Sequence, residues 1–161
     1  MISVIIPTYK APEALEICLH SATVNQAGDN QIIVIVDGFY DLNRQVLEKY
    51  EDKISILDLE TNQGLCKATN LGVYNAQYDK LLIVNDDNVF PPNWDTQLLE
   101  VYKDKRVVTP NQIEPNPSIF DEMVIQSFGN PDSFDWDGFH KLADNLSEDK
   151  LTPKGSTLPI F

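Results

Sequence analysis

Positive charge is scarce in this sequence. Twelve Lys and Arg face 25 Asp and Glu, so the formal net charge is −13. That balance argues against a nucleic-acid binder, because affinity for a phosphate backbone comes mainly from Lys and Arg. It argues equally against an anionic membrane surface. Long apolar runs are missing too, and none approaches the roughly 20 residues of a membrane-spanning helix. The opening MISVIIPTYK has no basic stretch before its short apolar run, so no secretory signal is expected. Two cysteines, Cys18 and Cys66, are too few for a disulfide framework or an all-cysteine metal site. The expectation is a cytoplasmic, reduced protein. There is no internal repeat and no low-complexity tract. Neither G-x-G-x-x-G nor a P-loop is present, and PTYKAPEA, after the first apolar run, lacks the glycine-rich basic loop that would cradle a triphosphate.

What is present is an ordinary globular composition: 161 residues, 42% hydrophobic and 23% charged. One domain is expected, and a chain of about 150 residues buries roughly 70% of its unfolded surface. Five short apolar runs, Ile2–Ile6, Ile32–Val36, Ile54–Leu57, Leu81–Val84 and Val107–Thr109, mostly lack alternation, which suits strands buried on both faces. Helical stripes lie between them. Pro12 fits a first helical turn, followed by Leu15, Cys18, Leu19 and Ala22. Leu42, Val46, Leu47 and Tyr50 make a second stripe. Leu65, Ala68, Thr69, Gly72, Val73 and Ala76 make a third, and Trp94, Leu98 and Val101 a fourth. Alternating strand and helix predicts an α/β fold with an open, mostly parallel sheet and helices on both faces. Residues 1–110 form its core. After Pro110 the chain turns proline-punctuated and acidic, with nine acidic and three basic side chains in residues 107–161. Residues 111–161 read as an irregular, loop-rich appendage of the same domain.

In such a sheet, ligands bind outside the carboxyl ends of the strands. The residues there are Pro7-Thr8-Tyr9-Lys10, Asp37-Gly38, Thr61-Asn62-Gln63-Gly64 with Lys67 one turn on, and Asn85-Asp86-Asp87-Asn88. Asp86 and Asp87 repel each other unless a cation is shared, and hard oxygen ligands suit Mg²⁺ or Mn²⁺. Such a cation would let an acidic protein hold a diphosphate. Read singly, each residue has a plainer account. Asp86 can cap a turn, Asp-Gly is a common turn pair, Tyr9 can be a rim aromatic and Lys67 a solvated cation. Asn62 is placed near a helix cap. His20 and His140 read as structural or solvated, and Cys18 and Cys66 as small core residues.

These same segments resemble the family 2 glycosyltransferases of the GT-A fold. SVIIPTYK looks like that family's first strand and turn. IIVIVDGFYD looks like its second-strand motif, with Val36 in place of the first of two aspartates, Asp37 at the second and Phe39 in place of Ser. TNQGLCKATNLGVYNA is similar to its Asn-x-Gly helix, and LLIVNDDNVFPPNWD to the segment with its acidic metal motif. The four segments span about residues 2–100. The resemblance implies a UDP-sugar donor, a carbohydrate or other hydroxyl acceptor, and Mn²⁺ or Mg²⁺. It implies that Tyr9 stacks on uracil beside Pro7 and Thr8, and that Asp37 accepts the base N–H. Lys67, with Asn62 nearby, would lie close to the base or diphosphate, Asp86 near ribose and metal, and Asp87 on the metal. Transfer would invert the anomeric centre, with a carboxylate as general base. The acidic motif reads Asp-Asp-Asn rather than Asp-x-Asp, so either carboxylate could be the ligand. The family's general base is expected beyond Phe161, and Asp132, Asp135 and Asp137 do not match it. The competing readings are a donor-nucleotide-binding module without transfer activity and, less well matched, a phosphate-accepting signalling domain.

Overall fold

The computed structural model describes residues 1–103, 107–108, 113–114, 124–125 and 127–148. Four parallel strands form the sheet: β1 (Ser3–Thr8), β2 (Gln31–Val36), β3 (Ser55–Asp58) and β4 (Leu81–Ile83), in the order β3-β2-β1-β4. The register is continuous, with Ser3 opposite Gln31, Thr8 opposite Val36 and Ile5 opposite Ile83. β1 extends past its apolar run to Pro7 and Thr8 because β2 pairs with it to that point.

Four helices follow the four strands: α1 (Pro12–Val24), α2 (Tyr40–Lys49), α3 (Leu65–Tyr74) and α4 (Trp94–Val101). Alternate residues of the central strands feed two cores. Val4, Ile6, Ile32, Val34 and Val36 pack with Leu15, Leu19, Leu47 and Trp94 under α1, α2 and α4. Ile5, Ile33 and Ile35 pack on the other face with Ala68 of α3. Both faces of β1 and β2 are therefore apolar, as an uninterrupted Ile/Val run requires.

The stripes hold unevenly. All four stripe residues of α1 are buried, whereas Leu42, Leu65 and Val101 are exposed. Cys66 is also exposed, which corrects its reading as a core residue; α3 turns Ala68 and Gly72 toward the sheet instead. Gly72 is needed there, because a Cβ would lie 2.5 Å from Ile5 Cγ2 and 2.7 Å from Ile35 Cδ1. The fifth expected strand does not form at Val107 and Val108. Val107 is 81% exposed and no strand lies beside it among the described residues, so it has no ladder to join; Thr109 lies outside the described residues.

The segment after β4 is lashed to the end of α1. Ser21 Oγ accepts from Phe90 N at 3.0 Å, Asn25 Nδ2 donates to Phe90 O at 2.7 Å, and Asn93 N donates to Asn25 O at 2.7 Å. Asp95 closes the frame, accepting from the Ala27 and Gly28 N–H groups and from Asn30 Nδ2. Beyond this core, two-residue strands β5 (Ile113–Glu114) and β6 (Val124–Ile125) pair in parallel, a 3-10 turn spans Pro131–Ser133, and α5 covers Trp136–Glu148. α5 lies within the segment expected to be irregular. Its aromatic side chains, with Phe128 and Phe134, form a cluster of rings at centroid spacings from 4.7 to 6.5 Å.

Candidate functional site

β2 and β3 lie to one side of β1 and β4 to the other, so the connectivity reverses at β1. A crevice is expected beyond the carboxyl ends at that reversal. A cleft of about 260 Å³ is found there, lined by Pro7, Thr8, Tyr9, Asp37, Asn62, Gly64, Leu65, Asn85 and Asp86. Six of the eight candidate residues thus come together from four separate segments.

Each is held by its neighbours. Thr8, at the end of β1, donates through Oγ1 to Asp86 Oδ2 at 2.6 Å and bridges β1 to the loop after β4. Burial pushes the Asp86 carboxyl pKa up, and neighbouring Asp87 adds to this; the hydrogen bonds from Thr8 and the Tyr9 backbone oppose the rise without cancelling it. Below this loop, the Cys18 thiol donates to Asn85 O at 3.8 Å. Burial first, then Asp86 and Asp87, push that thiol far above its ordinary range, so it stays protonated and unreactive.

Asp37 is 4% exposed. Its Oδ1 accepts from Gln63 N at 2.5 Å and its Oδ2 from Gly64 N at 2.9 Å. The loop entering α3 is therefore held by the residue just after β2, while Gly64 is the N-cap and makes no side-chain cap bond. Asn62 stands two residues before that cap, near it as expected, and lines the cleft. Gly38, at φ +85°, lets the two loops meet, since a Cβ would stand 2.9 Å from Asn62 N.

Tyr9 stands at the mouth, 44% exposed, in edge contact with Phe39 at 5.7 Å between ring centroids. Lys10 and Phe39 both hold left-handed backbone conformations, φ +55° and +59°. Such strain in non-glycine residues gathers at functional sites. It brings Lys10 Nζ to 3.9 Å from the Phe39 ring centroid and 5.0 Å from that of Tyr9.

Two candidates stand outside the cleft wall. Asp87 is exposed and takes a 3.3 Å hydrogen bond from Asn88 Nδ2. Lys67 is exposed and its Nζ donates to Gln63 Oε1 at 2.8 Å. Asp132, Asp135 and Asp137 do not line the cleft either. Three lining residues fell outside the candidate set: Gly64, Leu65 and Asn85. Their signal was position at a strand end rather than residue chemistry. No group of three or more His, Cys, Asp or Glu able to hold a metal exists among the described residues. Asp86 and Asp87 offer two hard carboxylate donors, which fits a cation that takes its other ligands from a bound phosphate group. No helix among the described residues is long and apolar enough to cross a membrane.

Comparison with known proteins gives a consistent picture. The model for glycosyl transferase family 2 matches residues 3–155. An uncharacterized glycosyltransferase of Haemophilus influenzae is 30% identical over 119 residues, 74% of this chain and 36% of its own length. Chondroitin synthase of Pasteurella multocida is 29% identical over 174 residues, 90% of this chain and 18% of that protein. The crystal structure of S. aureus TarS 1–349 in complex with UDP superposes with a TM-score of 0.54 and 26% identity, over 62% of this chain and 30% of that one. The chain spans well under half the length of each of these relatives.

Proposed function

Since the chain belongs to glycosyl transferase family 2, we propose that its cleft binds a UDP-sugar with a divalent metal for transfer to a hydroxyl acceptor with inversion. One observation carries the reading: Tyr9, Asp37 and Asp86, from three different strand ends, line a single cleft at the reversal point of the sheet. The complex of TarS with UDP, in a neighbour of the same fold, supports a nucleotide there.

Tyr9, partly exposed and lining the cleft with Pro7 and Thr8, would stack on the base. Asp37 receives the base N–H on a lone pair left over from its bonds to Gln63 and Gly64. Asp86 and Asp87 would hold Mg²⁺ or Mn²⁺, which would supply positive charge to offset that developing on a departing diphosphate. Lys67 contributes to diphosphate binding only by releasing Gln63 Oε1.

A second reading, donor binding without transfer, is favoured by one specific feature. Among the described residues, the carboxylates lining the cleft are Asp37 and Asp86, and both are engaged within the fold. Neither is placed to deprotonate an acceptor.

Calorimetric titration of UDP in the presence of Mn²⁺, and then with EDTA, tests the donor site. Metal-dependent binding that is lost in Asp87→Ala is the expected result. A folded protein that binds no UDP in either condition would overturn the proposal. Sugar transfer by this chain to any acceptor would remove the second reading.

A further inference from the structure

Among the described residues, four other than glycine hold left-handed backbones, and two of them, Lys10 and Phe39, meet at the mouth of the cleft. That conformation costs any residue with a Cβ free energy, and it persists only where the surroundings enforce it. Phe39 carries a second penalty. It is the N-cap of α2 and makes no side-chain cap bond, at a position where Ser, Asn or Asp would satisfy an N–H of the first turn. It is also 48% exposed, so its ring does not fill the core. Helix stability alone would favour a small polar residue over this phenylalanine.

The contacts of the ring show what it does instead. Its centroid lies 5.7 Å from that of Tyr9, with 76° between the planes. Lys10 Nζ stands close to both rings, 3.9 Å from the Phe39 centroid and 5.0 Å from that of Tyr9. In an extended chain Lys10 would point away from Tyr9, because successive side chains alternate. The φ of +55° at Lys10 ends that alternation and lets its side chain fold back. Gly38 and Phe39, at φ +85° and +59°, lead into α2 and bring the phenyl ring across to the end of β1. Tyr9 lines the cleft, whereas Lys10 and Phe39 do not, so the pair reaches Tyr9 from outside the wall. An unsupported tyrosine at a cleft mouth would rotate about its side-chain bonds and lose that freedom on binding a ligand. Braced by an aromatic ring and a cation, Tyr9 is set before the ligand arrives.

We infer that Phe39 and Lys10 are positioning residues of the donor site, which fix the Tyr9 ring as a preformed platform for the base. Neither touches the ligand; both act through Tyr9. The inference rests on the proposed reading of the cleft and adds to it a source of base affinity. It also gives a physical reason for Phe39 at a position where the resembling family has Ser: a ring support stands in place of a helix cap.

The test is a titration of uridine, and separately of UDP with Mn²⁺, into the full chain, read by saturation-transfer NMR on the base protons. Uridine has no phosphate and reports on the base platform alone. Phe39→Ala should weaken both ligands by the same factor, about three- to tenfold, and Phe39→Tyr should restore them. Lys10→Gly removes the cation and relieves the left-handed backbone. The thermal midpoint should therefore rise while uridine affinity falls about two- to fivefold, a combination that a damaged fold does not produce. Lys10→Arg keeps a cation over the rings and should bind as wild type. In a Tyr9→Ala background neither Phe39→Ala nor Lys10→Gly should weaken binding further, because the ring they brace is gone. Unchanged uridine affinity in Phe39→Ala or in Lys10→Gly overturns the inference and leaves the donor reading standing. Loss confined to UDP overturns it too, since Lys10 would then contact the diphosphate directly, and so does further loss in the Tyr9→Ala background. If the folded wild type binds neither uridine nor UDP, the donor reading itself fails and the inference falls with it.

Discussion

Asp95 shows how one side chain can hold a loop in place. It is 2% exposed, and accepts from Ala27 N at 2.9 Å, Gly28 N at 2.7 Å and Asn30 Nδ2 at 2.7 Å. Burial works against its charge, but the hydrogen bonds from Ala27, Gly28, Asn30 and the Thr96 backbone more than offset this and lower its pKa. A carboxyl pKa below its unfolded value means stability that is present above about pH 4 and lost as pH falls through the folded value. Replacing Asp95 by Ala strands three donors and should cost about 2–4 kcal/mol in urea unfolding. Asp95→Asn should flatten the acid limb of the stability profile below about pH 4. An unchanged profile would mean the carboxylate is not what holds this frame. Asp86 works in the opposite sense. Its pKa is raised, chiefly by burial, so its charge is a penalty present above the folded pKa and relieved as pH falls. Asp86→Asn should therefore raise the thermal midpoint of the free protein and abolish metal-dependent UDP binding. A lowered midpoint would show that the residue serves the fold and not a ligand.

At the scale of elements, α3 is the helix that covers the second face of the central strands among the described residues, and its N-cap Gly64 and first residue Leu65 line the cleft. Gly72→Ala should gain about 0.5–1 kcal/mol of helix propensity. It should lose about 1–3 kcal/mol by overpacking against Ile5 and Ile35. A net loss in urea unfolding, with weaker UDP binding as α3 is pushed outward, is the expected outcome; stabilisation would mean that the isoleucine side chains rotate away freely. What was legible in the sequence follows the same division. β1 and β2 could be read because burial on both faces demands unbroken apolar runs, and α1 because all of its stripe is buried. The start of α3 could be placed in the sequence but the partner of its first N–H groups could not, because Asp37 lies 26 residues before Gln63. Leu42, Leu65 and Val101 misled because a stripe of apolar residues says which face is apolar, not how wide a surface it meets. α5 was hidden by the proline-punctuated, acidic character of the segment around it, although Trp136, Phe139 and His140 have helical spacing. The strand-end residues of the cleft were legible because the topology, once known, fixes where a parallel sheet binds; Lys67 and Asp87 stand outside the wall because side-chain direction is not written in spacing.

The whole molecule carries a formal charge of −13, and its proposed ligand is itself an anion. Nearest the cleft, Asp37, Asp86 and Asp87 outnumber Lys10 and Lys67, and both lysines are committed, Lys10 over the Tyr9 and Phe39 rings and Lys67 to Gln63. In the proposed complex a cation held by Asp86 and Asp87 would also have to reverse the sign of the local field. This predicts opposite salt effects for the two halves of the assembly. Charges farther apart than a Debye length are screened, and that length shrinks from about 20 Å near 20 mM salt to about 7 Å near 200 mM. Over this range metal-free UDP, repelled by the acidic chain, should bind more tightly as salt rises. Mn²⁺ alone, attracted by the same charge, should bind more weakly. Calorimetry of each ligand separately at the two ionic strengths distinguishes the cases. If UDP without metal also weakens with salt, the cleft presents positive charge to the nucleotide, and a lysine, not the cation, is its main electrostatic partner.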